Sequence, residues 1–153
     1  MGRIFLQAFR ACLYILLLHS GLLILSGCSS GNYNKQPDFV FKSPANAVIA
    51  GIQAELEMDV RLKIETQHQT DQWAFLTGIP LSTTGNYIDY SQTKFASDVR
   101  EGYFDDGFAA LTQKNQKSGN WKLVTLSLGA TDAPFVDWPE QYGVPKSLIY
   151  SDN

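Results

Sequence analysis

The sequence predicts an α+β domain, with one main helix packed on a mostly antiparallel sheet of about four strands. Three observations carry this. Apolar residues recur at helical spacing over residues 44–57 behind a Ser-Pro pair. The apolar period then drops to two, the repeat of a strand with one buried face. Finally, the two strongest strand patterns, Phe108–Lys114 and Trp121–Leu128, are separated only by a short polar turn, which makes them a hairpin.

Each element has its own local signature. Ser43 supplies an N-cap acceptor, and Pro44 occupies the first helical position, where no N–H is needed. Ala47, Val48, Ile49, Ile52 and Leu56 form the apolar face of a helix of about three to four turns, with Gln53, Glu55 and Glu57 on other faces. Gly51 weakens this helix and permits close packing on a sheet. Met58, Val60, Leu62 and Ile64 then alternate with Asp59, Arg61, Lys63 and Glu65, a half-buried strand. Residues 67–71 read as a turn and 72–80 as a second strand that Pro80 stops. Residues 81–92 are loop-like, and 94–106 show no clear period, with a turn expected around 102–107. Residues 115–119 supply the hairpin turn. In the tail, Asp137 is placed to cap a single helical turn, with Pro139 near its start, Gly143 at its end and Pro145 opposing extension. No internal repeat or second domain is visible.

The amino terminus has a different composition. Its first 25 residues carry only Arg3 and Arg10 as charges, and an apolar run from Ala11 to Leu25 is broken only by His19, Ser20 and Gly21. A basic start followed by a short apolar stretch is the shape of a signal peptide. Leu25-Ser26-Gly27-Cys28 then resembles the lipobox of bacterial lipoproteins, position by position. The resemblance implies cleavage between Gly27 and Cys28, a diacylglyceryl group on the Cys28 thiol and acylation of the freed amino group. The lipid bilayer is then a partner through acylated Cys28. Two or more acyl chains, at about 0.8 kcal/mol per buried methylene, hold a small protein durably. By the same resemblance Ser29, standing where an aspartate would retain the protein at the inner membrane, points to the outer membrane of a two-membrane envelope, facing the periplasm. An uncleaved membrane anchor is the alternative, because the run is only slightly short of the roughly 20 residues that span a bilayer. The organisation expected is a signal peptide over 1–27, a polar tether over 28–38 and one domain over 39–153, opening with a packed segment or short edge strand at Phe39 to Phe41.

In order and length, the domain is similar to the cystatin-like and NTF2-like folds, and residues 105–145 look like a domain of small bacterial envelope proteins. Neither resemblance brings catalytic residues with it, and fold likeness alone supplies no function.

Removal of residues 1–27 from the 153 leaves 126, and without Arg3 and Arg10 the remaining ten basic side chains face fifteen acidic ones, a net charge of about −5. That balance argues against nucleic acid as a partner. With Cys12 discarded and Cys28 lipidated, neither a free thiol nor a disulfide remains. No phosphate loop, dinucleotide fingerprint or Cys-x-x-Cys is present, so no cofactor is expected.

Three groups of side chains have chemistry to offer. Asp98, Glu101, Asp105 and Asp106 are the densest carboxylates, but Asp105-Asp106-Gly107 fits a turn, where short polar side chains bond the local backbone. His68, the one histidine beyond the signal segment, reads as an exposed turn residue, and a zinc site of three or four ligands has no second histidine or thiol to draw on. Among the aromatic residues, Trp73 and Trp121 sit inside strand patterns and belong to the core, whereas Trp138, Tyr142, Tyr103 and Phe104 lie in loop-rich stretches and are the candidate ligand- or partner-binding residues. The expected role is a non-enzymatic binding module for an envelope protein or small ligand. The alternatives are a hydrolase or isomerase with Asp98 or Asp105 as general base in an NTF2-like cone, and a structural part of an envelope assembly.

Overall fold

Helix α1 (Pro44–Leu56) begins where Ser43 Oγ accepts the amide of Asn46 at 3.2 Å and stops where Glu57 turns into the left-handed region, φ 54°. These are the expected ends to within one residue in the computed structural model, which describes residues 41–150. Its inward face is the predicted stripe: Ala47, Val48 and Ile52 are buried, with Leu56 completing the row. Each such aliphatic side chain contributes about 1.5–3 kcal/mol by leaving water. Gly51 faces the sheet, where an added Cβ would run into Leu123 Cδ2, so its small size sets the approach of helix to strand.

The sheet has four strands, β1 (Val60–Gln69), β2 (Trp73–Ser82), β3 (Phe108–Lys114) and β4 (Trp121–Leu128), antiparallel throughout and in the order β1-β2-β3-β4. This is the α+β arrangement the sequence predicts, and both strands of the last hairpin have the predicted ends. Before β4, Phe41 exchanges backbone hydrogen bonds with Trp121, adding a bridge to that edge.

Two strand boundaries differ from expectation. Residues 67–69 are strand rather than turn, because Gln67, His68 and Gln69 pair with Leu76, Phe75 and Ala74 despite their polarity. The reversal is confined to residues 70–72, where Thr70 Oγ1 accepts the Trp73 amide at 3.1 Å and the Thr70 amide reaches Trp73 O at 2.8 Å. Pro80 likewise does not stop β2, which continues to Ser82. β3 ends opposite Gly78, so from Ile79 onward β2 borders on that side only the isolated bridge of Leu81 with Tyr87. A proline there interrupts no bond of the β2–β3 ladder.

The sheet is covered on both faces. On one, α1 packs with Ala74, Leu76, Phe108, Ala110 and Trp121. On the other, Phe75, Ala109 and Leu111 lie under the tail, in which α3 (Trp138–Tyr142) and α4 (Lys146–Ile149) contribute Trp138, Leu148 and Ile149. Gly143 ends α3 with φ 65°, as predicted, although Asp137 makes no side-chain cap bond. His68 ties this tail down: its Nδ1 lies 3.0 Å from Leu148 O, and since a carbonyl only accepts, Nδ1 carries the proton.

Residues 83–107 connect β2 to β3 over the α1 side. They contain a 3₁₀ turn at Tyr90–Gln92, capped by Asp89 Oδ1 on the Ser91 amide at 3.0 Å, and a helix the sequence does not announce, α2 (Ala96–Glu101), which ends at Gly102 with φ 77°. Phe104 follows, its ring centre 4.6 Å from that of Tyr90 and 4.9 Å from that of Phe95. No described helix is long and apolar enough to cross a membrane.

Candidate functional site

The four aromatic candidates do not converge. Trp138 is 5% exposed and stands edge-on to Phe75, with centroids 6.2 Å apart, while Tyr142 is half-buried edge-on to Trp138. Both serve the tail's packing on one face of the sheet. Phe104 belongs to the α1 side, half-buried against Tyr90 and Phe95. Tyr103, next in the chain to Phe104, is 70% exposed and is the one ring of the four that reaches freely into water. Gly27 and Cys28, the expected cleavage and lipidation positions, lie outside the described residues.

The space between helix and sheet is filled: Val48, Ile52, Ala74 and Leu76 meet there with essentially no exposed surface. Asp98 and Glu101 lie on α2 and Asp105 and Asp106 on the following turn, all four exposed to solvent. Asp98 and Asp105 therefore do not face the helix–sheet interior, where an NTF2-like cone would place its general base. Among the described residues, no three His, Cys, Asp or Glu side chains are grouped so as to hold a metal ion. His68 departs from expectation: it is a half-buried strand residue, 6.5 Å from Phe75 ring to ring, not an exposed turn residue.

One polar atom in the interior is unusual. Tyr90 is 4% exposed, and its hydroxyl has no hydrogen-bond partner among the described residues. Burial, and secondarily the negative charge of Asp106, push its phenol up from 10.0 to about 12. Ionisation is therefore easier in the unfolded chain. The stability this neutral phenol contributes is complete below pH 10 and is lost as pH rises towards about 12. Tyr90→Phe removes a buried group that gains nothing from its hydroxyl. Urea unfolding at pH 7 is expected to show it equal to the parent or more stable by up to about 1 kcal/mol, and the parent's loss of stability between pH 10 and 11 is expected to be shallower in the variant. A variant less stable than the parent at pH 7 would show that the hydroxyl has a partner after all.

The feature that sequence reasoning missed lies at the outer margin of β1. Among the described residues this strand has a neighbour on one side only, and Arg61, Lys63 and Ile64 are exposed along it. Just before it, a shallow depression of about 390 Å³, open to solvent, is lined by Gln53, Glu57, Met58 and Asp59, with Gln53 Nε2 donating to Asp59 Oδ1 at 3.0 Å. The charge alternation was visible in the sequence; which backbone groups of β1 point away from the sheet was not, because that depends on the pairing register of every strand. No family model, curated protein or solved structure matches this chain.

Proposed function

We propose that the chain is a lipid-anchored lipoprotein of the bacterial cell envelope whose α+β domain serves as a non-enzymatic binding or interaction module. The observation that carries the anchor is Leu25-Ser26-Gly27-Cys28 at the end of a basic-started apolar run. The module reading is supported by a domain whose interior is spent on packing on both sides of its sheet and whose predicted carboxylates stand on the surface. What such a domain has left to offer is its exterior.

The anchor is tested by expressing the full chain and its Cys28→Ser variant in a bacterial host supplied with an alkyne-tagged fatty acid. The parent is expected to take up label and to sediment with membranes, and the variant to lose the label completely. Label retained on Cys28→Ser, or none on the parent, would refute lipidation at this position.

A further inference from the structure

The backbone parity of the sheet can be counted from one end. Trp121 and Phe41 exchange both backbone bonds, at 2.7 and 3.2 Å, so Trp121 points its N–H and C=O outward from β4. In an antiparallel ladder successive residues point these groups to opposite sides. Lys114, opposite Trp121, therefore points to β2, where its amide meets Gln72 O at 2.8 Å. Stepping by twos along β3, Phe108 also points to β2, its partner Gly78 points to β3, and Ile64, across from Gly78 on β1, points away from the sheet. Leu62 and Val60 follow. The regular run stops at a bulge between Ile64 and Thr66.

We infer that this margin, Val60 to Ile64, is a strand-docking site for an extended partner segment with carboxylates at alternate positions. The inference deepens the binding-module reading and rests on it. Three amides and three carbonyls face outward here, enough to seat a short strand by main-chain bonds, while side chains set the choice of partner. Between them, Arg61 and Lys63 fall on one face of the strand, with Glu65 after them, 4.0 Å from Lys63, while Asp59, just before the strand, accepts from Gln53 of α1. Along that face the charges run plus, plus, minus. Arg61 has no ion-pair partner among the described residues.

That order discriminates. Pairing with a second copy in the register that uses all three outward residues sets Arg61 against Lys63 twice. Like charges directly opposite are destabilising, so the row rejects itself. A segment with two acids at alternate positions meets an opposite charge at both. Ile64, 39% exposed on the other face, adds an apolar contact at one end. The β4 margin, by contrast, is already engaged by Phe41 at its start.

The test uses the full chain, ¹⁵N-labelled in detergent, with two synthetic peptides: acetyl-Thr-Val-Glu-Val-Glu-Val-Lys-amide, which in antiparallel register sets its glutamates against Lys63 and Arg61, and its charge-reversed twin. At saturation the acidic peptide is expected to slow hydrogen exchange at Val60, Leu62 and Ile64 by about tenfold while leaving the Arg61 and Lys63 amides, already bonded to β2, unchanged. The twin is expected to do nothing, and Arg61→Glu with Lys63→Glu to exchange the two preferences. No response to either peptide, equal response to both, protection along β4 instead, or protection of these three amides in the peptide-free chain, whether by its own residues or by a second copy, would each overturn the proposal. Because the anchor is read by fatty-acid label, failure here with Cys28 labelled removes the docking site alone.

Discussion

Phe75→Ala is expected to destabilise the domain by about 3–5 kcal/mol, a large share of what holds a chain of this size together. Phe75 is 2% exposed and is the ring on which the tail is assembled. It meets Phe135 at 5.2 Å and Trp138 at 6.2 Å, both edge-on, with His68 on a third side. Edge-to-face pairs each contribute about 0.5–1.5 kcal/mol beyond the area they bury. Removing the ring also leaves a void between β2 and the short helices α3 and α4, which are too brief to be stable unsupported. Equilibrium unfolding in urea measures the loss, and the emission of Trp138 shows where it falls: it should shift to the red at lower denaturant than the global transition if the tail lifts first. Phe75→Leu keeps most of the volume and should recover more than half of the difference. A cost below about 1 kcal/mol for Phe75→Ala would mean that the tail is not held by this ring.

That tail shows where the sequence could be read and where it could not. Two apolar-rich runs about a polar turn made the β3–β4 hairpin legible to the residue, and Ser43-Pro44 did the same for the start of α1. The cover on the second face was written less plainly. Ala74-Phe75-Leu76 and the run from Phe108 to Leu111 are apolar at consecutive positions, the mark of strands buried on both sides. A reading of one helix on one face leaves half of those residues without a partner. Trp138 and Tyr142 are that partner, which is why two rings that looked free in a loop-rich tail are spent on packing.

Elsewhere tertiary pairing overrode composition. Gln67-His68-Gln69 are turn-like residues made strand by β2, with His68 further committed to Leu148 O. α2 escaped notice because Phe95, at its N-cap position, makes no side-chain cap bond and its six residues are mostly exposed, so neither a start signal nor an apolar stripe marks it. The β1 margin was hidden for a different reason: its charges are local and legible, but which of its backbone groups face outward depends on the pairing register of the whole sheet.

Gly78→Ala is expected to damage that same margin from within, with a cost of about 3 kcal/mol or more, at the upper end for overpacking. A Cβ on Gly78 would collide with the carbonyl oxygen of Lys63 and stand 3.0 Å from Ile64 Cα. Both obstacles are backbone, so no side chain can rotate away to relieve them, and the collision sits beside the bulge where β1 leaves regular pairing. Relief requires β1 to move off β2, which exposes the apolar stripe of Val60 and Leu62 and carries Arg61 and Lys63 out of line. Gly102→Ala is the matched control: Gly102 has φ 77° but nothing within 4 Å of an added Cβ, so only the left-handed backbone opposes the change, at about 1 kcal/mol. Urea midpoints for the two variants should therefore separate clearly. Native-state exchange should show β1 amides opening first in Gly78→Ala, and the acidic strand peptide should lose its protection of Val60, Leu62 and Ile64 even where the variant remains folded. Equal midpoints for the two variants would mean that β1 yields to the methyl at little cost, and that its outer margin is too compliant to select a partner by the register of its charges.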